Sequence, residues 1–190
     1  MDQVFASDQL RLRPLEPGDH RRVTGVIDEW WGGREMSRRL SHAFFVHFRP
    51  TSFVLECDDE LLGFLIGLVS QTSPDEAYVH FVGVHPGYRQ LGLGRRLYCR
   101  FCTVAGLLGC DTVRSHTAPQ NRLSIAFHEA MGFAVDPGDA VIDGVSVWLD
   151  YAGCGEHRVR FVKRLGFVVP RLSTRPRPDL DSVPATAVGW

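Results

Sequence analysis

The stretch Val82-Gly83-Val84-His85-Pro86-Gly87-Tyr88-Arg89-Gln90-Leu91-Gly92-Leu93-Gly94-Arg95 constrains this chain more than any other. It runs from a β-branched apolar segment through a Pro- and Gly-bearing turn directly into a helical pattern. Glycine lets backbone N–H groups approach an anion with no Cβ in the way. A helix amino terminus adds unpaired donors and the positive end of the helix dipole. Together these residues describe a cradle for a pyrophosphate, to which Arg89, Arg95 and Arg96 can add charge. Gly-x-Gly before a helix is also a common turn, so the surrounding elements decide. The segments before it read as strands joined by short turns, which does not fit the strand–helix–strand unit of a dinucleotide fold. The absence of Gly-Lys-Ser/Thr removes a Walker-type loop.

Those elements can be placed from periodicity. Gln9 to Arg13 alternates apolar and polar residues and stops at Pro14. Asp19 is placed to cap a helix carrying Val23, Val26, Ile27 and Trp30, broken by Trp31-Gly32-Gly33. A second helix is expected with Leu40, Phe44, Phe45 and Phe48 on one side, ending before Pro50. Ser52 to Cys57, Leu61 to Ser70 and Ala77 to Val84 then read as an antiparallel meander. After the turn, a helix from Leu93 carries Leu97, Phe101, Val104 and Leu108 and ends at Gly106 or Gly109. Thr112 to Thr117 follows that crossover and should lie parallel to the preceding strand. A helix from Asn121 to Met131 capped by Gly132, a hairpin on Asp143-Gly144 and a strand from Val159 to Leu165 complete the chain. The fold class is α/β (α+β), a mixed and mostly antiparallel sheet with flanking helices. Residues 1–168 are expected to form one domain, and 169–190, rich in Pro, Ser and Arg, a flexible tail.

Composition narrows the function classes. A formal net charge of -1 argues against a nucleic-acid partner. No apolar run reaches the roughly 20 residues that span a bilayer, and the amino terminus shows no signal pattern, so the expected location is the cytoplasm with no membrane partner. Cys99 and Cys102 form a C-x-x-C, but they sit inside a helical pattern with no second pair at ligand spacing. They are expected to be buried or half-buried thiols, and no metal is expected.

Arg89-Gln90-Leu91-Gly92-Leu93-Gly94 resembles the Arg/Gln-x-x-Gly-x-Gly/Ala signature of the GCN5-related N-acetyltransferases (GNAT), and the Val-x-Val-x-Pro lead-in is similar too. Asn121 to Ser124, Phe127, His128, Gly132 and Phe133 resemble that family's second motif. The order of elements fits over roughly residues 9 to 165. The resemblance implies splayed fourth and fifth strands, with the pantetheine arm of acetyl-CoA, or another acyl-CoA, lying between them. Val82, Gly83 and Val84 would then line the arm, Val82 and Val84 through backbone. The turn from Arg89 through Gln90, Leu91, Gly92, Leu93 and Gly94 to Arg95 would hold the pyrophosphate, and Asn121 would reach the arm.

Acylating an amine requires loss of the amine's proton, donors for the carbonyl oxygen and a proton for the leaving thiolate. The resemblance assigns the donors to backbone N–H near Val84. It would place a Tyr acid where this chain has His128, whose imidazole could serve or could only pack. Tyr78, His80 and His116 are the candidate bases, with a water relay as the alternative. Trp30, Trp31 and Arg34 are placed to wall the acceptor pocket, although the indoles could equally be core. The expected function is N-acyl transfer to an amine of a small molecule or peptide. The alternatives are transfer from an acyl carrier protein, which offers the same arm, and a catalytically weak CoA-binding sensor or interaction module. A monomer and a homodimer are both compatible with the chain.

Overall fold

A computed structural model describes residues 10–166; the expected tail at 169–190 lies outside them. One sheet organises the chain. Its strands are β1 (Leu10–Pro14), β2 (Phe53–Cys57), β3 (Glu60–Val69), β4 (Glu76–Val84), β5 (Thr112–Thr117), β6 (Ala134–Asp136) and β9 (Val159–Arg164). They lie in the order β1-β2-β3-β4-β5-β9-β6. Every pairing is antiparallel except β4 with β5. That exception follows from the crossover helix α3 (Leu93–Leu107) between them. The hairpin β7 (Ala140–Ile142) and β8 (Val145–Val147) stands apart, turned at Asp143 and Gly144 with both φ angles positive.

The helices cover both faces. α3 and α4 (Arg122–Ala130) pack over one face, where Leu93, Leu97, Phe101 and Ala105 are buried against Leu65, Val79 and Phe161. α1 (Asp19–Trp30) and the short α2 (Ala43–His47) cover the other, burying Val23, Ile27, Trp30 and Phe45 against Val54, Phe64 and Phe81. The register of β4 shifts by one at His80: Ile66 faces Phe81, and the next residue, Gly67, faces Val79. This bulge turns the strand over, so that Ala77, Val79, Val82 and Val84 all reach the α3 side while Phe81 reaches the α1 side.

Three expectations need correction, and one strand was not expected. The second helix is only Ala43–His47, flanked by 3₁₀ turns at Ser37–Arg39 and Arg49–Thr51; Leu40 reaches the core from outside it, Phe44 and Phe45 from within it. Asp19 does not cap α1. Its carboxylate is buried between Arg13 of β1 and Arg22, where Glu56 of β2 completes the cluster. Cys99 is exposed rather than buried, because it lies on the outer side of α3, while Cys102 is half-buried. The three-residue strand β6 was not foreseen; Val135 and Asp136 pair with Phe161 and Arg160, though three residues are too few to show a period.

Candidate active site

The sheet divides between β4 and β5. Their parallel pairing covers Glu76 to Val79 and Thr112 to Ser115 and stops there. Beyond it, β4 stays bonded to β3 and β5 to β9 up to Thr117. The His85 amide donates to the Leu62 carbonyl at 2.9 Å. Antiparallel alternation therefore turns the N–H and C=O of Val82 and Val84 away from β3 and into the gap.

At one end of the gap lies the glycine turn. Gln90 and Gly92 take left-handed φ angles of 67° and 78°, and no side chain caps α3. The first helical bond runs from the Arg96 amide to the Gly92 carbonyl at 3.0 Å, so the amides of Leu93, Gly94 and Arg95 point out of the helix end. The Leu93 side chain is buried and anchors the helix, whereas Leu91 and Arg95 are exposed. A Cβ on Gly94 would stand 3.2 Å from the Phe127 ring, so this glycine also lets α3 approach α4. A cradle of outward amides, kept open by a left-handed glycine, fits a pyrophosphate. Arg89 is used differently from the expectation. Its guanidinium donates to the Trp30 carbonyl at 2.7 Å and the Val84 carbonyl at 3.3 Å, tying α1 to β4.

At the other end opens a cleft of about 1120 Å³. Tyr78, His80, His116, Asn121 and His128 all border it, as does Trp31. Trp30 does not: it is 4% exposed and stacked on Phe64, so only the second indole of the pair is placed to meet a ligand. Trp31 lies across β4, with its ring carbons 2.7 and 2.8 Å from where a Gly83 Cβ would stand. Gly83 is thus required for that crossing. Arg34 borders the cleft from an exposed loop, its Nε donating to the Trp31 carbonyl at 3.1 Å. The Asn121 side chain caps α4, accepting from the Ser124 amide at 3.2 Å.

The histidines fall on opposite faces of the sheet. Ser115 meets the Tyr98 hydroxyl on the α3 side, so its neighbour His116 points the other way, where its Nδ1 is hydrogen-bonded to the Tyr78 hydroxyl. Burial, reinforced by the Arg158 charge, lowers the His116 pKa to about 4. Burial likewise lowers that of His80, which packs on Phe44, and raises that of the Tyr78 phenol, helped by Tyr151. At neutral pH the two imidazoles are uncharged and the phenol is protonated.

His128 belongs to the α3 side. Its Nδ1 contacts the Ser124 carbonyl at 2.7 Å and its Nε2 the Tyr98 hydroxyl at 2.7 Å. The ring stacks on Phe161 at 4.2 Å and 2°, and burial lowers its pKa to about 4. Both nitrogens are thus engaged within the protein, and neither offers an N–H to a thiolate in this arrangement.

The cleft also contains residues that sequence reasoning missed. The backbones of Trp148 and Arg158 pair with each other, closing a loop that brings Tyr151, Glu156 and Arg158 to the cleft. Arg39 meets Glu156 across its mouth at 2.5 and 2.8 Å, and these contacts lower the Glu156 pKa to about 2. An aperiodic loop carries no signal for this placement. Among the described residues, no group of three or more His, Cys, Asp or Glu could hold a metal ion. No described helix is long and apolar enough to cross a membrane.

Solved structures share this architecture. Ard1 from Thermoplasma volcanium superposes with a TM-score of 0.65 at 17% identity, covering 83% of this chain and 98% of that one. The protein yncA from Salmonella typhimurium, solved with its cofactor acetyl-CoA, gives a TM-score of 0.61 at 18% identity, covering 86% and 99%. In sequence, the chain is 28% identical over 123 residues to an L-2,4-diaminobutyric acid acetyltransferase from Nocardia farcinica (strain IFM 10152). That match covers 63% of this chain and 62% of the relative. Residues 16–133, which hold the divided strands, the glycine turn and the helix begun by Asn121, match the Acetyltransferase (GNAT) family, and the chain belongs to it.

Proposed function

We propose that this protein transfers an acetyl group from acetyl-CoA to a primary amine of a small molecule. The observation that carries the reading is the gap between β4 and β5, with outward backbone at Val82 and Val84, a helix-end anion cradle at one end and a cleft with uncharged imidazoles at the other. Bound there, acetyl-CoA supplies an activated thioester. Val82 and Val84 would hold its arm as a neighbouring strand would, and the amides of Leu93, Gly94 and Arg95 would hold its pyrophosphate. The likeness to the diaminobutyrate enzyme supports a small amine as acceptor.

The residues suit the proton demands. A free alkylamine, with a pKa near 10.4, arrives charged and gives one proton to water before it attacks; the lone pair of neutral His116 or His80 can accept the second, which the nitrogen sheds more readily as the C–N bond forms. Trp31 offers an apolar wall for the acceptor, and Arg34 a cation beside it. His128 is assigned a positioning role, holding α4 against Tyr98 and Phe161. The test is thiol release from acetyl-CoA against a broad amine panel that includes 2,4-diaminobutyrate and spermidine. Acceleration by at least one small amine is expected. Tight binding of acetyl-CoA without release on any amine would make the chain a CoA-binding module instead.

A further inference from the structure

Resting on the transferase reading, we infer that the acceptor is a free amino acid whose carboxylate is held by the guanidinium of Arg34. Four arginines and two glutamates border the cleft: Arg34, Arg38, Arg39, Arg158, Glu35 and Glu156. With its imidazoles uncharged, the cleft therefore holds an excess of two positive charges. Both carboxylates are already taken. Glu156 accepts from Arg39 at 2.5 and 2.8 Å and from Arg158 as well, and Glu35 meets Arg38 at 3.4 Å. Among the described residues, Arg34 alone of the four arginines has no carboxylate partner.

The fork of Arg34 is open as well. Its Nε donates to the Trp31 carbonyl at 3.1 Å, while both Nη groups are without a partner among the described residues. Paired Nη donors match the two oxygens of a carboxylate. The loop that carries them is braced. Gly32 and Gly33 take φ angles of 71° and 84° at the end of α1, and their amides donate to the Glu29 and Asp28 carbonyls at 2.9 and 2.8 Å. The Asp28 carboxylate accepts from the amide and the hydroxyl of Ser37, each at 2.7 Å. Arg34 is thus returned to Trp31, whose ring crosses β4 at Gly83, between the two valines whose backbone faces the gap. An amino acid anchored on Arg34 would lie beside the indole, within the cleft that His116 and His80 border.

The same charges define what the cleft rejects. A plain alkylamine or a polyamine arrives at neutral pH with cations only. It meets a positive excess, and no carboxylate of the cleft lacks an arginine. The Arg158 charge helps to hold His116 neutral, and it acts in the same sense against a second ammonium. An amino acid brings its own anion, which offsets the excess and fixes the orientation of the attacking amine.

The test extends the amine panel with matched pairs, each an amino acid and the amine left when its carboxyl is removed. The pairs are glycine with methylamine, lysine with cadaverine, and 2,4-diaminobutyrate with 1,3-diaminopropane. Each is measured with the wild type, Arg34→Gln and Arg34→Lys. The expected best acceptor is an amino acid, preferred over its decarboxylated partner by about tenfold or more in kcat/KM, chiefly through KM. Arg34→Gln should bring that preference to within about threefold, with the melting temperature and the acetyl-CoA Kd unchanged. Arg34→Lys should recover part of it, since it keeps the charge and loses the fork. A loss shared equally by both members of a pair would make Arg34 a brace for Trp31. A best acceptor without a carboxylate, or a preference that survives Arg34→Gln, overturns the assignment while the transferase reading stands. Acetyl-CoA binding with no thiol release on any amine overturns the transferase reading, and the acceptor class with it.

Discussion

The Nε2 atom of His128 lies 2.7 Å from the hydroxyl oxygen of Tyr98, and both side chains are closed off from solvent. This contact joins α4 to α3 beneath the gap. His128→Ala should lower stability by about 2 to 4 kcal/mol, because it leaves a cavity against Phe161 and leaves the buried Tyr98 hydroxyl only its longer contact with Ser115. Tyr98→Phe should cost about 1 to 3 kcal/mol by removing the partner of a buried nitrogen. Urea unfolding checks both. A His128→Ala variant of undiminished stability but about 10²-fold lower kcat would restore the acid to His128.

Stability should fall as the pH is lowered from about 6.5 toward 4. His116 and His128 have folded pKa values near 4, lowered by burial from an ordinary 6.5. Between those values the unfolded chain binds more protons than the folded one, so the stabilisation is complete above about pH 6.5 and lost on acidification. For His128, the more buried of the two, the loss is on the order of 3 kcal/mol. Denaturant curves at pH 7, 6 and 5 measure it. His128→Phe should flatten the dependence, and an unchanged slope in that variant would show that the imidazole is not held neutral.

CoA should raise the melting temperature, since a ligand at 100 times its Kd adds about 2.7 kcal/mol to the folded state. Gly92→Ala forces a side chain into φ 78° and should cost about 1 to 2 kcal/mol by itself. Gly94→Val would press on the Phe127 ring, so it should disturb the α3–α4 contact as well as the cradle. Each variant must therefore be compared with its own unliganded melt. The CoA-induced shift should shrink in both, and full shifts in both would place the pyrophosphate elsewhere.

The neighbouring indoles should separate two kinds of effect. Trp30→Ala removes a core ring stacked on Phe64 and should cost about 3 to 5 kcal/mol. Trp31→Ala should cost less and should act mainly on the acceptor, raising its KM with little change in acetyl-CoA affinity. Steady-state kinetics in both substrates decide this. Equal loss of stability in the two variants would assign Trp31 to the core.

What could be read from the chain follows from which forces act locally. The strands from Phe53 to Val84 and the helix from Leu93 carry their own period, so their type and order were legible. The Asp143-Gly144 turn and the glycines around the anion cradle are dictated by backbone conformation at single positions, and these were legible too. The 3₁₀ turns around Ala43–His47 were not, because Leu40, Phe44, Phe45 and Phe48 fit a helical spacing, although Leu40 and Phe48 lie outside the helix that holds Phe44 and Phe45. Asp19 is an ordinary cap residue until Arg13 and Glu56 arrive from two strands. The cleft was half legible. His116 and Tyr78 could be placed on facing strands from their positions in the sequence. Tyr151, Glu156 and Arg158 reach it only through a loop whose closure depends on the paired backbones of Trp148 and Arg158.

The division of the sheet between β4 and β5 also bears on how copies of this chain avoid adhering to one another. An unpaired strand edge is a template for another molecule's strand, and proteins usually guard such edges with charge, brevity or a cover. Here two raw edges occur in mid-sheet, yet they face each other across a cleft overhung by Arg39, Glu156 and the Tyr151 loop. At this gap, a strand from a neighbouring copy would have to pass those side chains before it could align. The opening that makes the backbone accessible to a slender ligand is thereby shielded from self-association, and a chain lacking the Arg39–Glu156 contact should be the more prone to aggregate.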